Sequence, residues 1–392
     1  MSPFRPSMSL ATGGLISLAV AMGIGRFVYT PILPDMIEAI GLTPTEAGLI
    51  ATANFFGYLV GALAASAAWL RGPHRLWFLV GLFASGITTA AMGLTDALGA
   101  QMLIRLLGGV ASAFVLVFAS ALILDRLAAL GRPRLSALFF AGVGVGIAVS
   151  AFLISVLGSQ GYDWRVQWIA SGVISLVAAL FVVWLVPRQA NEVEQEPLQP
   201  ETTADGRLKR LIVAYGLFGF GYIITATFIS TIARTSSEGR SLETVVWLVV
   251  GLSAIPSVAL WTHLGRRWSF ASAFAVACVI EAGGVALTVT SSSAWAIVVG
   301  GVLLGGTFVG IAALGLLYAR SLSVGDSRRT LALMTASFAF GQMVGPTFAG
   351  VTFDLGDSFL VPSLAAAAAL LGSAWLVMVR HQSQALSSTA LP

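Results

Sequence analysis

Two arginines and one glutamate stand where water should not reach them: Arg26, Arg105 and Glu281 all lie within long apolar runs. An arginine at the centre of a bilayer costs at least ~2.5 kcal/mol on insertion scales, so each needs a compensating partner. The planar guanidinium pairs well with carboxylate or phosphate. Two readings are therefore open for Arg26 and Arg105. They clamp an anionic group, or they cap carbonyls and hold one helix against another. The acids of the first half, Asp35, Glu38, Glu46 and Asp96, fall at helix ends or in loops, and only Asp35 is placed to reach back toward an arginine. Glu281 is the one carboxylate near mid-run. It is either a proton carrier or a group bonded to a neighbouring helix. Glu281, Asp35 and Arg105 are the proton-coupling candidates.

Neutral polar residues share these runs. Tyr29, Thr30, Asn54, Tyr58, Tyr222 and Gln342 are candidates to line a substrate site together with Arg26 and Arg105, although such residues also glue helices to one another. Gly23, Gly25, Gly109, Gly142, Gly146, Gly341 and Gly345 provide small faces for close helix packing. Pro31, Pro34 and Pro346 are placed to bend helices, which suits gating. Catalytic chemistry is missing from the pattern. The three histidines lie at segment ends and Cys278 is the single cysteine. No metal-ligand spacing and no Walker-type phosphate loop occurs. We expect no enzyme activity, no metal and no cofactor, and any active process must draw on a gradient.

The elements that position these residues are apolar segments of spanning length. A bilayer core takes roughly 20 apolar residues per helix. Twelve segments fit, at about 10–33, 45–70, 76–94, 99–124, 136–157, 166–186, 211–233, 242–263, 269–290, 294–319, 331–352 and 359–379. The chain is 57% hydrophobic and 10% charged, far below the roughly 25% charge of soluble domains. A pI near 9.6 does not imply nucleic acid, because the basic residues are scattered through loops and form no patch. The run after residue 9 is too long for a cleaved leader and reads as the first span.

Loop charge gives an orientation. Of the 21 Lys and Arg, Arg26 and Arg105 lie within segments, and Arg165, Arg234 and Arg240 lie in one set of loops. The others lie in the opposite set. The positive-inside rule then puts both termini and the central linker in the cytoplasm. The linker, about 189–210, holds Glu192, Glu194, Glu196, Glu201 and Asp205 and separates a bundle at 1–188 from one at 211–392.

The halves repeat at an offset close to 195 residues. Gly23-Ile-Gly25-Arg26 parallels Gly219-Phe-Gly221-Tyr222, and Gly108-Gly109 parallels Gly305-Gly306. The charges are not repeated: Tyr222 matches Arg26, Val302 matches Arg105 and Ala84 matches Glu281. Six segments per half leave the two repeats in the same orientation, the arrangement in which substrate sits between two rocking halves.

This pattern resembles the major facilitator superfamily. Twelve helices in two six-helix pseudo-repeats, with basic loops after segments 2 and 8, match its plan. Arg105-Leu-Leu-Gly-Gly109 resembles its Arg-x-x-x-Gly motif, which is associated with proton coupling. Gly23-Ile-Gly-Arg-Phe-Val-Tyr-Thr-Pro-Ile-Leu-Pro-Asp-Met36, Gly221-Tyr-Ile-Ile-Thr-Ala-Thr-Phe228 and Gly341-Gln-Met-Val-Gly-Pro346 are similar to the YbfB-like subgroup. The loop after segment 2 lacks the superfamily's usual Asp. The resemblance implies a multi-pass secondary transporter of the inner membrane, acting as a monomer on a small molecule by alternating access. Proton-coupled export of a small organic anion is the favoured form. A facilitated uniporter or anion exchanger, and a membrane sensor or scaffold without transport, are the alternatives.

Overall fold

The computed structural model describes residues 4–66, 74–132, 135–186, 206–235, 239–291, 293–323 and 327–379. Among the described residues every regular element is a helix. The first bundle holds α1 (Phe4–Leu18), α2 (Tyr29–Ile40), α3 (Pro44–Ser66), α4 (His74–Ala91), α5 (Leu98–Ala119), the short α6 (Asp125–Ala129), α7 (Ser136–Ser159) and α8 (Trp164–Leu185). The second holds α9 (Gly206–Arg234), α10 (Gly239–Arg267), α11 (Phe270–Thr290), α12 (Ala294–Leu322), α13 (Ser327–Gly356) and α14 (Leu360–Met378).

Eleven helical stretches are long and apolar enough to cross a membrane. The twelfth expected span corresponds to α13, which is long, at 30 residues, but less apolar. It carries Thr335, Ser337, Gln342, Thr347 and Thr352 and packs between α3 and α9. A helix packed on protein along two faces does not need to be apolar all round. The outer faces of other helices are the reverse. Phe152, Phe181 and Trp184 are exposed at 66%, 63% and 85%, a surface suited to lipid and not to water.

The expected first helix differs most. Segments α1 and α2 form one 34-residue span, Ser7–Ile40, so Arg26 lies near its middle. The span is interrupted. Residues Ala19–Ile24 form a π-helical turn, and four residues separate it from α2. Pro31 has no N–H, and the Thr30 N–H bonds to Phe27 at 3.2 Å instead of to Arg26. Carbonyls near Arg26 are thereby freed. The span ends at Gly41, whose φ of 67° only glycine adopts without strain.

Elsewhere the ends follow local chemistry. Asp163 accepts a bond from the Val166 N–H to start α8, and Ser269 does the same for α11 through Ser272. Arg75 donates to the carbonyls of Val183 and Val186, each at 2.8 Å, and so closes the end of α8. The second bundle begins at Gly206, so the last residues of the expected linker are helical; the rest of that linker, and Arg71–Pro73 after α3, lie outside the described residues. We call the end bearing the linker the linker end and the opposite one the far end.

Helices α1–α8 pack mainly on one another, as do α9–α14, and the bundles meet along α3–α13, α7–α10 and α2–α9.

Candidate functional site

The freed carbonyls of the interrupted helix are taken up by Arg105. This residue is buried on α5 and donates to Gly25 O at 2.9 Å and Arg26 O at 3.0 Å. Its guanidinium lies 5.2 Å from the Tyr29 ring and 5.8 Å from Trp168. The Tyr29 hydroxyl donates to Ala47 O of α3 at 2.8 Å, and Asn54 donates to Arg105 O at 2.9 Å. Arg105, Tyr29 and Asn54 thus form one network that fastens the helix break to α3 and α5. All bonds of the Arg105 guanidinium run to backbone within its own bundle.

Arg26 faces the other way, across the seam. Its Nη2 donates to Gln342 Oε1 of α13 at 2.7 Å, and Gln342 in turn donates to the Tyr222 hydroxyl of α9. The guanidinium lies 4.6 Å from the Tyr58 ring and 4.7 Å from Phe55, within cation–π range. Tyr222 stacks on Phe338 at 5.7 Å and Phe308 at 5.6 Å, and Phe308 meets Phe27 edge-on at 5.9 Å. Arg26 Nε is buried with no partner, and no described carboxylate pairs with Arg26 or Arg105. The result is an aromatic cluster at the bundle seam, holding one cation, one amide and the phenols of Tyr58 and Tyr222. Among the described residues this buried cation is satisfied only by a neutral amide and ring faces, so its charge has no counter-ion.

Asp35 does not reach either of these arginines. It accepts bonds from Arg234 Nη1 at 2.8 Å and Gln167 Nε2 at 2.8 Å, with Arg240 at 3.3 Å. Arg234 also bonds Glu38 at 2.8 Å and Glu243 at 2.6 Å, and Arg240 bonds Glu38 at 3.1 Å. These residues tie α2 to the facing ends of α9 and α10 at the far end. A cavity of about 260 Å³ lies beside them, bordered by Pro31 and Trp247. The cause of the difference is length. With α2 running to Ile40, Asp35 sits more than two turns from Arg26, beside the end of α9.

Glu281 is fully buried on α11. Its Oε2 accepts from Thr307 of α12 at 3.1 Å and its Oε1 has no partner. It is not joined to the Arg26–Gln342–Tyr222 chain by any described bond.

The glycines lie where helices nearly touch. A Cβ on Gly23 would stand 2.5 Å from Gly146 Cα, and one on Gly146 would stand 2.3 Å from Ala19 O. Corresponding approaches are 2.1 Å for Gly142 to Leu15 O, 2.0 Å for Gly109 to Asn54 O and 2.1 Å for Gly341 to Gly216 O. Gly25 faces the Ser85 hydroxyl and Gly345 faces Ile223. Pro34 lies inside α2 and Pro346 inside α13, where the Pro346 carbonyl abuts Gly48 of α3.

Sequence reading missed the rings of Phe27, Phe55, Phe308 and Phe338, and the charges of Arg234, Arg240, Glu38 and Glu243. The rings carry no signal in so apolar a chain. The charges did: at the repeat offset Glu38 and Arg234 occupy matching positions with opposite sign, and they meet across the pseudo-axis. Thr30 and Ala226 meet in the same way, at 2.7 Å.

Comparison with known proteins agrees with this architecture. Multidrug resistance protein 1 of Bacillus subtilis (strain 168) is 21% identical over 359 residues, covering 87% of this chain and 89% of that one. The nucleoside transporter NupG superposes with a TM-score of 0.72 at 14% identity, covering 95% of this chain and 98% of that one. A bacterial homolog of the human lysosomal transporter Spinster, inward-facing and unoccupied, gives 0.63 at 14% identity over 96% and 94%. These solved structures share the fold. Residues 18–378 match the family described as uncharacterised MFS-type transporter YbfB, and the chain belongs to that family of multi-pass membrane transporters.

Proposed function

We propose that this protein moves a small organic anion across the inner membrane by alternating access, its bundles 1–188 and 211–392 rocking about the cluster around Arg26. The observation that carries this reading is Arg26 itself, a buried cation at the seam whose hydrogen-bond partner, Gln342, belongs to the opposite bundle. An anion reaching Arg26 would compete for that guanidinium and so act on both bundles at once. The stacked rings of Tyr222, Phe308 and Phe338 suit a flat apolar body attached to the anionic group. Gln342 and Tyr222 would bind its polar edge, with Tyr58 against Arg26. Arg105, Tyr29 and Asn54 support the site from behind.

The described inter-bundle bonds run from the Arg26 cluster to the far end: Thr52 to Met343 O at 2.7 Å, Thr30 to Ala226, Thr45 N–H to Asp354, and the Arg234 cluster. That distribution supports a state closed at the far end. The charge of the linker-end loops supports a cytoplasmic linker, and so an inward-facing state. Export is the favoured direction, in keeping with the name of the B. subtilis relative. Proton coupling would run through Asp35, because protonation removes its attraction for Arg234 and Arg240 and loosens the closed end. Glu281 is the second candidate. The protein would act as a monomer.

The test is Arg26→Gln in proteoliposomes and in binding assays. A charge-assisted hydrogen bond contributes about 1.5–3 kcal/mol, so anion affinity should fall roughly tenfold to a hundredfold while a neutral ligand binds as before. Undiminished anion affinity would refute the assignment.

A further inference from the structure

A second cavity, of about 350 Å³, opens at the linker end of the second bundle. The starts of α9 and α11 and the ends of α12 and α14 border it, and among the described residues none of the first bundle lines it. It is therefore separate from the cluster around Arg26. Among the described residues the charged side chains that line it are Arg207 and Arg210. Arg210 is half-buried, and neither its guanidinium nor the Tyr318 hydroxyl makes a hydrogen bond or ion pair among the described residues. Ser272, in the first turn of α11, adds a hydroxyl and the positive end of that helix.

The rim is different in kind. Leu376 and Met378 of α14 line the cavity, and Trp375, beside them, is 66% exposed. Trp268, at the turn into α11, is also exposed, and tryptophan favours the level of lipid headgroups. From the rim the exposed side chains of Val276 and Val279 on α11 and Leu371 on α14 continue along two helices that pack side by side. A basic, polar cleft thus adjoins exposed apolar side chains of two contacting helices. A soluble anion needs only the first part, whereas a phospholipid needs both.

We propose that this cleft is a binding site for an anionic phospholipid of the linker-side leaflet. Arg207 and Arg210 would hold the headgroup phosphate, Tyr318 and Ser272 would donate to its oxygens, and the acyl chains would lie along α11 and α14. The site is independent of the transported solute.

The test uses the full-length protein in detergent. Phosphatidylglycerol, phosphatidylcholine or inorganic phosphate is added, with binding read by native mass spectrometry and thermal stability. Phosphatidylglycerol should bind and stabilise, and phosphatidylcholine and inorganic phosphate should not. Arg210→Gln should weaken phosphatidylglycerol binding about fivefold, from the ~1 kcal/mol that one basic residue contributes near an anionic surface. A photoactivatable phosphatidylglycerol on the unaltered protein should label peptides containing residues 207–210, 271–272 or 376–378. Labelling confined to other peptides would overturn the proposal. So would unchanged binding in Arg210→Gln, or equal stabilisation by inorganic phosphate, which would make the ligand a soluble anion.

Discussion

Arg26 and Arg105 are the same residue type and both are buried, yet their surroundings give them different work. Arg105 spends both terminal nitrogens on the carbonyls of an interrupted helix. Removing it leaves Gly25 O and Arg26 O unpaired in a dry interior, at about 1–3 kcal/mol each. Arg105→Gln should therefore lower the melting temperature of the unliganded protein, and Arg105→Lys should not restore it, because an ammonium cannot span two carbonyls as the planar fork does. Arg26→Gln should leave the unliganded melting temperature nearly unchanged or raise it, since a buried cation without a counter-charge is removed. Thermal denaturation of the three variants checks both statements. Equal destabilisation by Arg26→Gln and Arg105→Gln would show that both arginines are structural. The sequence marks both residues as unusual, but their separation rests on which way each side chain leaves the helix break. Apolarity all round these helices hides that direction from the sequence.

The elements were legible wherever their ends had local chemistry. The expected segments at 136–157 and 269–290 agree with α7 and α11 to within two residues, because polar loops and caps bracket them. The end of the first span was not, since its last two turns, beyond residue 33, carry Asp35 and Glu38 and read as loop. Those acids are tolerated in a helix because Arg234 and Arg240 meet them from the other bundle, a long-range fact. At this scale the glycine seams make a further prediction. Gly146→Val would press on Ala19 O and Gly23 and should cost about 1–3 kcal/mol, whereas Gly283→Ala, with open space around it, should be neutral. Comparing the two by thermal denaturation separates close packing from a general effect of adding a methyl group. The charged far-end cluster gives another. Asp35→Asn removes attraction between α2 and α9. Spin labels at Gly99 and Asp357 should then show a longer inter-bundle distance, and an unchanged distance would exclude the cluster as the latch.

For the whole molecule, the repeat bears on how the two halves meet. An offset near 195 residues, read from short glycine motifs, anticipates two similarly oriented bundles, and residues related by it meet at the seam, as Thr30 with Ala226 and Glu38 with Arg234 do. The offset supplies only part of the cluster around Arg26: Tyr222 is the repeat partner of Arg26, but Gln342, which bonds to both, lies outside that pair. Asymmetry of charge between otherwise matching halves lets one bundle present a cation while the other presents rings and an amide. The most direct measurement of the central claim is a thermal-shift screen of the purified protein and its Arg26→Gln variant. The panel holds small aromatic carboxylates and phosphates, sugars, and lipophilic cations. A ligand at 100 times its dissociation constant adds about 2.7 kcal/mol. The account predicts that anions alone stabilise the unaltered protein and that Arg26→Gln loses this response. Stabilisation by cations or neutral compounds alone, or an anion response that survives Arg26→Gln, would contradict it.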